Sequence, residues 1–463
     1  MIISGSSHTN KRLRTLVCAL SCLMLNSTAV LAKAPPATPT PQQIAEYEAT
    51  DEVSRVALLI RLCKASQHEL ADVLLNRYPL TGEFAANRKL FLEGMILYGR
   101  ENLTGAAKKY RQALADDPSL TLVRAELAQT LFQLQEDDSA KHHLGLLVAD
   151  APTEQAAQGI RSFIDTIDAR RPFTFNTYVS LAPSTNVNNG SSYKTVYAPG
   201  GSISIPDEYQ QKSGVGFTTG LNVGYSHRLG NDFSVVLGGG INGRIYDDSD
   251  FNSYGASQSA ELRYLLNGGF IGMGAIASES TNYDISQDKY DFYNSYGPRI
   301  SLQKAVSTQD QINLSAIHEW RNYKINPGSE GTALQLNGSW THAFNSATYG
   351  TLDVGFDNVR SQNDYSSYRA YSLGASIYKE LPFGVTANLR GEIRIADFEG
   401  VMPIYNLVRD DNRYTGTVSL TKRDFNIFGY APGIEYTYVY NDSNIANFKF
   451  DSHAVDFRLS KDF

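Results

Sequence analysis

The hydrophobic positions of this chain follow one period in its first third and another in the rest. From residue 42 to Arg170 they recur every three or four residues, the spacing of helices that bury one face. From Pro172 onward they alternate: Phe173, Phe175, Thr177, Val179 and Leu181 are interleaved with Thr174, Asn176, Tyr178 and Ser180. The alternation returns over residues 215–225, 233–241, 334–340, 385–395 and 414–420. Successive strand side chains point to opposite faces, so each segment predicts a strand with one apolar and one polar side. Ahead of both parts, Lys11, Arg12 and Arg14 precede an apolar stretch over residues 16–25 and the small-residue site Val30-Leu31-Ala32. This is the layout of a secretory signal peptide, assigned to residues 1–32.

Residues 33–41 form a proline-rich leader that cannot be helical throughout. The helical part that follows, 42–170, repeats itself. Gly94, Leu97, Ala106, Tyr110, Ala113 and Pro118 return 34 residues later as Ala128, Leu131, Ala140, Leu144, Leu147 and Pro152. Small residues at 94/128 and 106/140 let paired helices approach. Tyr110 and Leu144 fill the gap to the next pair, and Pro118 and Pro152 stop the second helix of each unit. That period and pattern match the tetratricopeptide repeat (TPR). Residues 42–80, with Leu58, Leu59, Leu62, Leu70, Leu74 and Leu75, read as a degenerate earlier unit, and a last helix near 153–170 caps the stack. The adjacent His142 and His143 are expected on a solvated face of this solenoid.

The alternating part spans 171–463. Short turns fall at 229–232, 266–269, 306–309, 345–348, 380–384 and 423–426, and longer polar loops near 183–212, 247–253, 283–291, 324–331, 361–367, 397–412 and 441–447. These thirteen connections imply fourteen strands. Between the apolar positions sit charges that would be costly in lipid: Glu261 and Arg263, Arg299, then Arg390, Glu392 and Arg394. Apolar-out, polar-in alternation closes a sheet within a bilayer, because every backbone group must find a partner there. The fold class is therefore α plus transmembrane β: a short N-terminal TPR α-solenoid followed by a C-terminal outer-membrane antiparallel β-barrel of about 14 strands. An even strand count puts both barrel ends on the periplasmic side, with the helical part.

Composition narrows the function. The chain has 463 residues, 19% of them charged, with 28 Tyr and 21 Phe, which argues against disorder. Removing residues 1–32 takes the net charge from -7 to -10, without the basic excess of a nucleic-acid binder. Cys18 and Cys22 leave with that segment, so Cys63 stays without an intramolecular partner. The barrel histidines His227, His318, His342 and His453 share parity with apolar positions and face outward, away from any enclosed centre. No catalytic residue, metal site or cofactor is assigned, and an enzyme is not expected.

The residues Arg171 to Ala182, followed by Pro183, Asn186, Asn188 and Asn189, are similar to the first strand and Pro-x-x-Asn-x-Asn loop of the surface lipoprotein assembly modulator (Slam) family. The order of signal peptide, TPR domain and barrel also resembles these proteins, known as type XI secretion outer-membrane proteins. Pro183 is expected to end the strand, and the asparagines to favour turns with local side-chain hydrogen bonds. The terminal Phe457, Leu459 and Phe463 resemble the signal read by the outer-membrane barrel assembly machinery. The resemblance implies translocation of client lipoproteins, or of secreted haem-binding and effector proteins, across the outer membrane of a Gram-negative bacterium. The TPR domain would meet the client or a periplasmic chaperone, and the lumen charges would contact the client. A polysaccharide exporter or passive solute porin is the alternative.

Overall fold

The computed structural model describes residues 40–82, 84–284, 289–423, 425 and 430–460. The signal peptide, nearly all of the leader and Phe463 lie outside them. The helical part contains α1 (Pro41–Ala49), α2 (Glu52–Lys64), α3 (His68–Arg77), α4 (Ala85–Gly99), α5 (Leu103–Asp116), α6 (Thr121–Gln133), α7 (Asp137–Ala149) and α8 (Glu154–Arg170). Helices α2/α3, α4/α5 and α6/α7 are antiparallel hairpins that share one turn. In each, a residue with positive φ (Ser66, Glu101 or Gln135) follows the first helix. The next backbone N–H then returns to a leucine carbonyl: Gln67 to Leu62, Asn102 to Leu97 and Glu136 to Leu131, each at 2.9 Å. This bond closes the helix end that would otherwise leave carbonyls unpaired. The degenerate first unit thus has the same turn as its neighbours, with α1 added in front.

Packing explains the small positions. A Cβ placed on Gly94 would lie 2.4 Å from the Tyr110 ring, so only glycine lets α4 approach α5 with a tyrosine there. In the next unit the corresponding positions are Ala128 and the smaller Leu144, and all of Ala106, Tyr110, Ala128, Ala140 and Leu144 are buried. The hydrophobic core of this domain, running from Tyr47 to Ile167, contains helical-domain residues alone. Cys63 is a free buried thiol inside it, and burial pushes its pKa up to about 12.

The alternating part closes into a barrel of fourteen antiparallel strands. They are β1 (Phe173–Ser184), β4 (Gly214–Leu229), β5 (Phe233–Tyr246), β6 (Ser253–Leu266), β7 (Gly269–Asp284), β8 (Lys289–Ala305), β9 (Asp310–Tyr323), β10 (Gly331–Asn345), β11 (Thr348–Ser361), β12 (Tyr368–Leu381), β13 (Val385–Met402), β14 (Leu407–Lys422), β15 (Ala431–Ser443) and β16 (Phe450–Ser460). Closure comes from β1 and β16, with Tyr178 opposite Ser460 and Ser184 opposite Ala454. The first long loop carries its own hairpin, β2 (Thr195–Ala198) with β3 (Gly201–Ser204).

Two expected strand ends move. Pro183 lies inside β1 opposite Val215, and the strand stops one residue later. The expected loop over 397–412 is mostly strand. Pairing runs to Asp397 opposite Asp410, slips at a bulge, and resumes as Val401 opposite Val408. The bulge shifts the alternation out of phase, which is why Asp397-Phe-Glu-Gly400 reads as a loop in sequence.

The barrel's exposed side chains are apolar along every strand, for example Leu237, Ile241, Leu389 and Ile393. Aromatic pairs ring both ends. Phe173 meets Tyr225 at 4.8 Å and Phe233 meets Tyr264 at 5.4 Å near the short turns, while Tyr296 meets Trp320 at 5.6 Å near the long loops. An apolar band between aromatic girdles is the exterior that a bilayer selects.

Candidate functional site: the lumen and its helical cap

The inner wall is built from charges that reach across small neighbours. Arg390 on β13 donates to Asp353 on β11 at 2.6 Å and to Glu392 at 2.9 Å; Arg394 donates to Asp357 at 3.0 Å. Both long-range pairs pass over β12, where Ser372 and Gly374 are small enough to let the guanidinium groups through. A Cβ on Gly374 would stand 3.0 Å from Arg390 Nη2. On the neighbouring wall, Ser301 of β8 donates to Glu261 of β6 over Gly272, and Arg263 lies 3.4 Å from Glu261. Arg299 lines the same cavity of about 500 Å³ with Arg263, Arg390 and Arg394. Its buried Nε has no hydrogen-bond partner among the described residues. Along the middle of β4, β5 and β6 the inner face is instead neutral and small: Gly220, Asn222 and Gly224, then Gly238, Gly240 and Asn242, then Gly255, Ser257 and Ser259.

The four barrel histidines sit outside this lumen. His227 stacks on Tyr225, His318 stands edge-on to Trp320, His342 lies between Trp340 and Phe344, and His453 packs on Tyr438. Arg228 also departs from the inner wall. It reaches Asp165 of α8 at 3.0 Å, beyond the barrel rim.

At the far end of the lumen the asparagines hold the first long loop. Buried Asn186 accepts from the Gly190 N–H and donates to the Gly190 and Asp451 carbonyls, all at 2.9 Å. Asn188 donates to the Gln210 carbonyl at 2.7 Å and accepts from the Lys212 N–H at 3.0 Å. Asn189 adopts φ 52°, the left-handed region that asparagine tolerates. These groups tie the loop to itself and to β16. Phe457 and Leu459 face outward on β16.

The helical domain lies across the short-turn mouth, which in outer-membrane barrels is the periplasmic one. Its strongest attachment is a buried charge cluster. Arg124 of α6, fully buried, donates to Glu380 Oε2 at the end of β12 at 2.7 Å and to the Pro118 carbonyl at 2.6 Å. Arg423, in the turn after β14, lies 3.4 Å from Glu380 Oε1 and donates to His142 Nε2. Arg124 also lies 3.3 Å from His143 Nδ1. The expected solvated face for His142 and His143 is therefore wrong: both rings turn toward the barrel. Glu380 Oε1 also lies 3.5 Å from His142 Nε2, so the carboxylate and the arginines meet at the edge of the two rings. Burial comes first in depressing both pKa values: that of His142 falls to about 4 with Arg423 and Arg124 adding, and that of His143 well below the usual range with His142 and then the arginines adding. Sequence periodicity did not reveal this cluster, because its partners come from two distant parts of the chain.

A closed antiparallel barrel with an apolar exterior, a charged interior and helical repeats across its mouth is an outer-membrane β-barrel with a periplasmic domain. The chain belongs to the surface lipoprotein assembly modifier family, whose model matches residues 173–463. A tetratricopeptide repeat model matches residues 97–162. Surface lipoprotein assembly modifier 2 of Haemophilus influenzae is 21% identical over 380 residues, covering 78% of this chain and 75% of that protein. Surface lipoprotein assembly modifier 1 of Neisseria meningitidis serogroup B is 23% identical over 288 residues, covering 61% of this chain and 56% of that one. Among solved structures, a Pseudomonas aeruginosa FadL homologue matches with a TM-score of 0.35 and 11% identity, covering 63% of this chain and 90% of the other.

Proposed function

We propose that this protein carries particular lipoproteins, or related secreted proteins, through the outer membrane to the cell surface. The TPR domain docks the client or its chaperone in the periplasm and the barrel lumen provides the passage. The observation that supports this most directly is the placement of a peptide-docking type of solenoid against the mouth of a charged lumen, in a member of the surface lipoprotein assembly modifier family. Arg263, Glu261, Arg299, Arg390, Glu392 and Arg394 are the lumen residues that meet the client. Apart from Arg299, these charges are paired with opposite ones, so a passing chain meets a hydrated wall without a deep electrostatic trap. The Pro183, Asn186, Asn188 and Asn189 segment shapes the surface exit. Phe457, Leu459 and Phe463 form the signal that the barrel assembly machinery reads.

The test is co-expression with a lipoprotein encoded beside this gene, with surface display measured by antibody labelling of intact cells. Display that depends on this protein supports the reading; equal display without it removes the reading.

A further inference from the structure

The helical domain covers the barrel's periplasmic opening from one rim to the other. Around the ring, Asp165 holds Arg228 at the end of β4, and Arg161 donates to the Ser307 carbonyl at 3.2 Å in the β8–β9 turn. Asp150 accepts from the Ser346 N–H at 3.2 Å in the β10–β11 turn. The Phe383 N–H donates to the Ala115 carbonyl in the β12–β13 turn, and Arg423 joins His142 after β14. The remaining turn, at Asn267 and Gly268, stands beside Arg161, whose Nη1 would lie 3.9 Å from a Cβ on Gly268, and both border a vestibule of about 920 Å³. Arg263, Phe270 and Gln303 line both this vestibule and the lumen cavity, so the two spaces adjoin. In this arrangement α7 and α8 form the helical wall of the vestibule over the lumen mouth.

Three features distinguish a movable cover from a fixed one. The bonds around the rim are hydrogen bonds and ion pairs, which water can replace on separation. The helical domain's hydrophobic core includes no barrel residue, so the domain keeps its own packing when it moves. Only Arg171 and Pro172 join α8 to β1, and the Pro172 carbonyl is held by the Ser226 N–H at 2.8 Å. Arg171 stays with the helices, its N–H on the Ile167 carbonyl at 3.1 Å and its guanidinium 3.2 Å from Asp138, which leaves its junction with Pro172 as the joint. Among the described residues, the least exposed ion pairs joining the two parts are those of the Arg124–Glu380–Arg423 cluster, on strands five and three places round the ring from β1.

We propose that the helical domain is a lid, latched at Glu380 and hinged between Arg171 and Pro172, that must swing off the barrel mouth to admit cargo. The lid rests on the passage reading only for its purpose; its motion can be measured without a client.

The test uses the full protein with Ala115→Cys/Phe383→Cys and Asp150→Cys/Ser346→Cys, two pairs that join the lid to separate turns. Cys63 is buried and does not compete. Cross-linking is verified by gel mobility, and ion conductance is recorded in planar bilayers before and after reduction. The lid predicts a closed oxidised form, with reduction raising mean conductance at least about tenfold. Glu380→Ala, without cysteines, is expected to conduct more than the unaltered protein. Equal conductance of oxidised and reduced forms overturns the lid, as does an unchanged Glu380→Ala. The same oxidised protein is then assayed for client display in cells. If conductance responds to the lock while display never depends on the protein, the export reading fails and the lid stands.

Discussion

Arg124 and Glu380 are 256 residues apart in the chain and 2.7 Å apart in space, one in a helical repeat and the other at the end of a barrel strand. The arginine is fully buried and the carboxylate is 11% exposed, so each depends on the other to offset lost hydration. Glu380→Ala leaves a buried guanidinium with the Pro118 carbonyl and His143 as its contacts. Removing one partner of a buried pair costs about 3–5 kcal/mol. Here the loss falls on docking of the two domains, because the helical core does not include the barrel. Limited tryptic cleavage after Arg170 is expected to speed up while the heat-modifiable gel migration of the barrel stays unchanged.

Acidity acts on the same joint. In the docked state the pKa of His142 lies near 4, below the ordinary 6.5, held down by burial and by Arg423 and Arg124, with Glu380 opposing. His143 shifts the same way, with Arg111 adding to the arginines that face it. A ring released to water regains its ordinary value and takes up a proton. Docking is therefore strongest above about pH 6.5 and weakens by up to about 1.4 kcal/mol per pH unit per histidine as pH falls toward 5. Hydrogen exchange of α7 at pH 7.5 and pH 5.5 checks this, and His142→Asn is expected to flatten the difference.

The repeats predict a rescue. Gly94→Ala places a methyl group against the Tyr110 ring and should destabilise the helical domain by about 1–3 kcal/mol. The neighbouring repeat has Ala128 and Leu144 at the corresponding positions, so Tyr110→Leu in the Gly94→Ala background should recover most of the loss. The second change also removes a buried hydroxyl that has no hydrogen-bond partner among the described residues. Thermal unfolding followed by circular dichroism at a helical wavelength gives the comparison.

Asn186 makes a different kind of demand. Its amide satisfies one backbone donor and two acceptors at once, so Asn186→Ala should free the first long loop at about 1–3 kcal/mol per buried group left unpaired. Protease cleavage within 190–212 on intact cells is expected to rise, with barrel migration on unboiled gels unaffected.

The sequence made the two periods plain, and from them the solenoid, the fourteen strands and the side each barrel histidine faces. Those features depend on neighbours in the chain, where period is legible. What escaped depends on meetings between distant segments. The bulge at 397–401 reads as a loop because it breaks the alternation locally. The placement of His142 and His143 follows from Arg124, Glu380 and Arg423, none of which has a spacing that announces the others. The recurring left-handed turn at Ser66, Glu101 and Gln135 went unread because those residues are chemically unlike, although their intervals match the repeat.

Neighbouring residues Ser372 and Leu373 offer the most direct test of passage through the barrel. Ser372 lies on the inner wall between the two long ion pairs, while Leu373 is 58% exposed on the outside. A photo-crosslinking amino acid is placed at each position in turn, and client capture is measured during active display. Capture at 372 with none at 373 is the predicted result; equal capture at both, or capture at 373 alone, contradicts a route through the lumen.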